Sequence, residues 1–233
     1  WSSDVCSSDL AALPIPGMDL PGVLSSDELL EIHTLPKSMI IVGGGVIGIE
    51  FAGIYSSFGT DVTILEYMPS ILPGMEADVV KRLTNSLKKR GIKIETGVNV
   101  TEIVKQADRL LIRAGGKKGE QEYEAEVILV AAGRKPNLEK LALEKAEIEY
   151  GPNGIKVDGS CMTSTEGIYA IGDVTGGKML AHVASEQGKR VVEIIMGIES
   201  GRAEDNIVVP NCIFTFPEVA TVGVTEDEAK ARG

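Results

Sequence analysis

Six residues, Gly43-Gly44-Gly45-Val46-Ile47-Gly48, set the tightest limit on how this chain can fold. They follow Met39-Ile40-Ile41-Val42, a short apolar run suited to a strand buried on both faces. They precede Ile49 to Phe58, where Phe51, Ala52 and Tyr55 recur at helical spacing before Gly59 ends the segment. Gly-x-Gly-x-x-Gly alone is a weak signal. Between a strand and a helix it reads as a dinucleotide-phosphate cradle. The first glycine allows the tight turn, the second lets the pyrophosphate approach the backbone, and the third lets the helix pack on the strand. The helix start then offers free N–H groups to phosphate.

The next element supports the same reading. Asp61 to Glu66 predicts a second strand, and Glu66 lies 18 residues past Gly48 (66 − 48 = 18). That is close to the spacing of about 20 at which an acid takes the ribose hydroxyls of NAD. Tyr67 and Met68 follow, with no Arg for a 2′-phosphate, so the pattern favours NAD over NADP. Glu50 is read in the first helical turn, where the dipole favours an acid. The alternative is a role facing the nicotinamide end.

Further along, Ala77 to Arg90 predicts a helix with Val80, Leu83 and Leu87 on one face, capped by Gly91. Ile92 to Glu95 predicts a third strand. Val98 to Val104, Leu110 to Arg113 and Tyr123 to Val130 then read as a β-meander, with a polar turn at Gly115 to Glu120. A nucleotide-binding α/β unit with an antiparallel insert is expected. Ala11 to Lys37 has loop composition, with Ser26 to Leu30 as a short helix candidate, so the domain proper is expected from Ser38.

A second unit follows. Ile155 to Val157 is short and extended. Gly167 to Ile171 reads as a buried strand that delivers Gly172-Asp173 at its carboxyl end, where α/β ligands sit. Met179-Leu180-Ala181-His182 opens a helix running to Met196, with Ala184, Val191, Val192 and Ile195 in its period. A carboxylate at Asp173 can accept a polyol hydroxyl. The helix start suits a partial negative charge.

Five stretches carry a close resemblance. They are Gly43 to Glu50, Ala131-Ala132-Gly133-Arg134-Lys135-Pro136-Asn137, Tyr169 to Asp173, Met179 to His182, and Phe214-Thr215-Phe216-Pro217-Glu218-Val219-Ala220. Their joint order resembles the pyridine nucleotide-disulfide oxidoreductase family and, within it, the dihydrolipoyl dehydrogenase branch. The resemblance implies an FAD/NAD(P)-binding, Rossmann-like, three-layer ββα fold with two nucleotide-binding units, incomplete at both ends. It implies NAD contacts from Gly43, Gly44, Gly45, Val46, Ile47, Gly48, Glu50, Glu66, Val100, Ala131, Ala132, Gly133 and Arg134. It implies FAD contacts from Asp173, Met179, Leu180, Ala181 and His182. His182 is not expected to be catalytic, since the family's base is a later His. The implied organisation is the end of an FAD domain or linker at 11–37, an NAD domain at 38–133, a returning FAD segment at 134–206 and the opening of a dimerisation domain at 207–233. The implied parent is a cytoplasmic homodimer that serves lipoyl domains of 2-oxo acid dehydrogenase or glycine cleavage complexes. Alternatives are another flavoprotein disulfide reductase, an NADH oxidase, or a non-catalytic NAD-binding module.

Composition and the first residues narrow this further. A net charge of −11 disfavours nucleic acid and anionic membrane surfaces, and no apolar run spans a bilayer. Cys161 and Cys212 are far apart, so no redox pair or metal pattern is expected among them. Residues 1–10, including Cys6, do not read as a leader peptide. Asp4 to Leu10 resembles an in-frame translation of a common sequencing adapter, so the natural sequence is expected to begin near Ala11. The redox Cys pair and the His–Glu base of the family are expected to lie outside the chain.

Overall fold

The structure is a computed structural model that describes residues 8–10, 13–116, 119–139, 141–198 and 208–233. The chain divides into two compact units. The smaller comprises Trp1–Ala11 with Arg134–Val209, the larger Ala12–Gly133 with Pro210–Gly233. Cys6 and most of the adapter-like stretch lie outside the described residues. Ser8–Leu10 form a short strand, β1, of the smaller unit.

The larger unit is built on a parallel sheet. Its strands are β2 (Val23–Leu24), β3 (Ser38–Val42), β4 (Asp61–Glu66), β5 (Lys93–Thr96) and, after an excursion, β9 (Val127–Val130). The spatial order is β2-β9-β3-β4-β5, and every neighbouring pair is parallel. Parallel strands need crossovers. Helix α2 (Val46–Ser57) links β3 to β4, and α3 (Ala77–Lys89) links β4 to β5.

Alternation along the strands sorts the core into two layers. Met39, Ile41, Val62 and Ile64 face the helices and pack with Ile49, Ala52, Leu83 and Leu87. Ile40, Val42, Leu65 and Ile128 face the other way, onto a three-stranded antiparallel meander. That meander is β6 (Asn99–Gln106), β7 (Arg109–Gly116) and β8 (Gly119–Ala125), which contributes Val100, Ile103, Leu110 and Ile112 to the second core. The result is a helix, parallel-sheet and antiparallel-sheet sandwich of three layers.

Three expectations for this unit need correction. Tyr123 to Val130 is not one strand, because the chain leaves the meander at Ala125 and enters the parallel sheet at Val127. Glu126 makes the break: its N–H donates to Ser38 Oγ, and its carboxylate accepts the Lys37 N–H. The turn expected at Gly115 to Glu120 is shorter, with the strands running to Gly116 and from Gly119, and residues 117–118 lie outside the described ones. Nor does the packed unit begin at Ser38. Residues read as linker supply edge strand β2, and Leu13, Ile15, Met18 and Leu20 pack on the second core. Loop composition hid them because their apolar residues follow no regular period.

Helix α1 (Ser26–Leu30) carries a complete capping box. Ser25 Oγ accepts the Glu28 N–H, and the Glu28 carboxylate accepts the Ser25 N–H. Ser25→Ala should lower the unit's stability by about 1 kcal/mol, checked by urea unfolding. The Ser25 N–H, and after it the Ser25 hydroxyl, hold the Glu28 carboxyl below its ordinary pKa. A depressed carboxylate stabilises above its unfolded pKa, so this small contribution fades as pH falls through the folded pKa.

The larger unit also holds β13 (Asn211–Ile213), β14 (Val219–Thr221) and α5 (Glu226–Arg232). Ile213 and Val219 enter the helix-side core.

The smaller unit is sparser. β1 pairs antiparallel with β10 (Arg134–Pro136), and β11 (Tyr150–Gly151) pairs with β12 (Gly154–Ile155). Helix α4 (Ala181–Ile195) is the long element. Gly167 to Ile171 is not the buried strand expected. Among the described residues its one ladder contact is a bridge from Tyr169 to Met162, and Gly172–Thr175 turns into a 3-10 helix. An extended segment becomes a strand only where a neighbour supplies a full row of partners. The apolar period of α4 also misleads: Val191 is buried, whereas Val192 and Ile195 are 59% and 62% exposed.

Candidate functional site

The carboxyl ends of β3, β4 and β9 bring the first set of candidate residues to one edge of the sheet. Gly43 follows β3, Glu66 ends β4, and Ala131 to Gly133 follow β9. The Gly43 N–H donates to the Leu65 carbonyl and the Ala131 N–H to the Val42 carbonyl, so the three chain ends are stitched together.

Each glycine has a distinct physical reason. Gly43 has φ +114, and a β-carbon there would stand 2.4 Å from the Ala131 carbonyl oxygen. At Gly48 a β-carbon would stand 2.1 Å from the Gly43 carbonyl oxygen, so only glycine lets α2 close on the loop. Around Gly45, the N-cap of α2, nothing lies within 4 Å of such a carbon. Its lack of a side chain therefore leaves open space over the helix start, where the Val46 and Ile47 amides begin a helix whose first N–H groups have no intrahelical partner.

Glu66 is 7% exposed, yet both carboxylate oxygens are engaged. Oε2 accepts the Gly44 N–H at 2.5 Å, and Oε1 accepts the Met68 N–H at 2.6 Å. A carboxylate has about four acceptor positions, so two remain. The acid therefore orients the loop through the Gly44 and Met68 amides.

Glu50 corrects one expectation. It is the fifth residue of α2, beyond the first turn, which removes most of the helix-dipole argument. Its carboxylate accepts the Phe214 N–H at 2.7 Å, tying α2 to the segment before Pro217. A cavity of about 320 Å³ there is lined by Glu50, Arg90, Phe214 and Phe216 among others, with the Arg90 guanidinium 5.0 Å from the Phe216 ring centroid. Val100 places its side chain in the core between sheet and meander. The start of that strand nonetheless adjoins the site, since the Val98 N–H donates to the Glu66 carbonyl.

The second set lies in the smaller unit. Asp173 sits in the Gly172–Thr175 turn and accepts the Ser8 hydroxyl at 2.6 Å. Arg134 donates from Nε to the same hydroxyl oxygen at 2.7 Å and from its terminal nitrogen to the Ser8 carbonyl. Arg134 and Asp173 thus share Ser8 as a hydrogen-bond partner. Leu180 is the N-cap of α4, Met179 precedes it, and Ala181 and His182 form its first turn. Gly172 has φ +70 and meets α4, for a β-carbon there would touch the Ala184 methyl at 3.0 Å.

Sequence reasoning missed two supporting residues. Gln187 accepts the Gly172 N–H at 2.8 Å and fixes the Asp173 turn to α4. The Leu72 N–H donates to the Gly44 carbonyl at 2.9 Å. The only signal for the latter was the Leu-Pro-Gly turn that follows the second strand. Among the described residues, no three His, Cys, Asp or Glu side chains gather as metal ligands, and no helix is long and apolar enough to cross a membrane.

Comparison with known proteins agrees with this geometry. The family model described as pyridine nucleotide-disulphide oxidoreductase matches residues 8–188. A dihydrolipoyl dehydrogenase of Bacillus subtilis is 46% identical over 224 residues, covering 94% of this chain and 47% of the relative. One from Rhizobium etli is 40% identical over 222 residues, covering 94% of this chain and 46% of the relative. The chain thus spans about half the length of the curated relatives it matches. Among solved structures, the Cu(II) complex of the HOCl-induced flavoprotein disulfide reductase RclA from Escherichia coli has a TM-score of 0.89 at 30% identity, covering 97% of this chain and 52% of that one. LpdA from Mycobacterium tuberculosis has a TM-score of 0.86 at 30% identity, covering 97% and 49%. With its three-layer nucleotide-binding unit and its glycine loop closed by an acid, the chain belongs to the pyridine nucleotide-disulphide oxidoreductase family.

Proposed function

We propose that this chain is the nucleotide-positioning half of an NAD-dependent dihydrolipoyl dehydrogenase. The parent enzyme oxidises protein-bound dihydrolipoamide through a redox disulfide and FAD, and reduces NAD+. The observation that carries the reading is the carboxyl edge of the parallel sheet. An open helix start at Gly45 stands beside a buried Glu66 that retains acceptor capacity.

The residues present fit the two cofactors. Gly43 to Gly48 would hold the NAD pyrophosphate, and Glu66 would take the adenosine ribose and reject a 2′-phosphate by charge and by the lack of a nearby Arg. Asp173 would take a flavin polyol hydroxyl, and the Leu180–Ala181 backbone would meet the flavin edge. When bound, the flavin supplies a two-electron relay and the nicotinamide accepts hydride. The chain's own part is to orient both and to exclude water. Its cysteines, Cys6, Cys161 and Cys212, offer no closely spaced pair, and Cys161 is buried. We therefore place the dithiol chemistry and its base elsewhere in a cytoplasmic, homodimeric parent that serves lipoyl domains.

Titration with NADH and NADPH, followed by nucleotide fluorescence, tests this. NADH should bind more tightly than NADPH by about tenfold or more, the scale of one unfavourable charge contact. The chain alone should show no lipoamide-dependent NADH oxidation. Equal affinity for the two nucleotides would remove the assignment of Glu66, and lipoamide turnover by the pure chain would overturn the division of labour.

A further inference from the structure

Among the described residues, one backbone hydrogen bond holds the Gly44–Gly45 peptide, and its donor is not among the glycines. The Gly44 carbonyl accepts the Leu72 N–H at 2.9 Å. Leu72 adopts φ +50, a left-handed conformation that leucine seldom takes, and its side chain is 2% exposed in the helix-side core. The neighbouring Ile71, 1% exposed, closes on the same residue: a β-carbon at Gly44 would stand 2.9 Å from its Cγ2. On the other flank the Gly44 N–H is held by Glu66 Oε2.

In a trans peptide the C=O and the following N–H point in opposite directions. Fixing the Gly44 carbonyl toward Leu72 therefore aims the Gly45 N–H away from the 71–72 turn. Two consecutive glycines have no side chains to resist a flip of this peptide. A flipped peptide would present a carbonyl where the Gly45 N–H had been, which repels an anion. We propose that Leu72 is a positioning residue for the phosphate loop, a latch that keeps the Gly44–Gly45 peptide in its anion-accepting orientation. The core burial of its side chain offsets the backbone strain that places its N–H under Gly44. This inference rests on reading residues 43–48 as a dinucleotide cradle.

Two substitutions in the 233-residue chain separate the latch from simple packing. Leu72→Pro removes the N–H. Leu72→Ile keeps the apolar volume but adds β-branching that disfavours positive φ. Leu83→Ala, in the same core but on α3, serves as the stability control. NADH fluorescence titration and thermal unfolding are read for all four proteins. Leu72→Pro should weaken NADH binding about tenfold and Leu72→Ile by about threefold or more, the scale of one lost orienting hydrogen bond. Leu83→Ala should lower the melting temperature at least as much as Leu72→Ile and leave NADH affinity within about twofold. Wild-type affinity in Leu72→Ile would overturn the latch, and that variant decides the matter where Leu72→Pro does not fold. Amide exchange in the nucleotide-free chain gives a ligand-independent reading. Leu72→Ile should speed exchange at the residue-72 amide, the one that donates to the Gly44 carbonyl, about tenfold with β3 unchanged, and unchanged exchange there would also overturn the latch. Faster exchange without any NADH binding by the wild-type chain would sink the cradle reading and leave the latch standing.

Discussion

Gly48→Ala should destabilise the larger unit by on the order of 3 kcal/mol, near the upper end for an overpacked site. The added carbon would stand 2.1 Å from the Gly43 carbonyl oxygen and 3.1 Å from Ile41 Cγ2. The first neighbour is backbone and cannot swing aside. Relief requires α2 to lift from β3, which opens the contacts of Ile49 and Ala52, both fully buried. Thermal unfolding by circular dichroism should show a fall of about 10 °C. Gly45→Ala gives the contrast. Gly45 has φ −75, which alanine adopts freely, and nothing lies within 4 Å of the added carbon. Stability should hold or rise by a few tenths of a kcal/mol, since alanine restricts the unfolded chain. Nucleotide binding should nevertheless fall about tenfold, because the methyl occupies the space a phosphate needs. If both variants lose stability equally, Gly45 is a packing glycine and the cradle reading weakens. If Gly45→Ala binds NADH normally, the phosphate does not approach there.

The contrast also shows what could be read from the letters of the chain. β3, α2, β4 and α3 are legible because their apolar periods match what each face buries: Met39 and Ile41 go to one side, Ile40 and Val42 to the other. The glycine turn is legible because its three constraints are local and steric. The break at Glu126 is not, because the run from Tyr123 to Val130 stays strand-like while its partners change from one sheet to the other. The failure at Gly167 to Ile171 has a similar origin. Residue type fixes an extended backbone, but only a neighbouring strand makes it part of a sheet, and Tyr169 finds a single bridge. Glu50 reads as an acid near a helix start, and no local rule could reveal its bond to the Phe214 amide 164 residues away. The same holds for Leu72, whose role lies in a backbone conformation that leucine does not advertise.

Glu66→Gln should cost more than its near-identical shape suggests. Each Glu66 oxygen accepts one backbone N–H, from Gly44 and from Met68, within a 7% exposed pocket. Glutamine offers one oxygen and one NH2. Whichever way the amide is turned, its nitrogen faces an N–H donor, and one buried amide loses its acceptor. An unsatisfied buried donor costs about 1–3 kcal/mol, and loss of the charged acceptor weakens the bond that survives. The loop amide at Gly44 is half of that arrangement, so the effect should reach the nucleotide. A drop of about 2 kcal/mol in stability and a loss of at least about tenfold in NADH affinity are expected together. Urea unfolding and NADH titration on one preparation read both. Glu66→Asp is the informative companion. It keeps the charge but shortens the reach, so it should lose the Met68 and Gly44 contacts while still repelling a 2′-phosphate. Preference for NADH over NADPH should then survive in Glu66→Asp and shrink in Glu66→Gln, since repulsion depends on charge whereas loop geometry depends on both oxygens. If Glu66→Gln bound NADH and unfolded like the natural chain, the acid would be neither the loop's anchor nor the ribose acceptor.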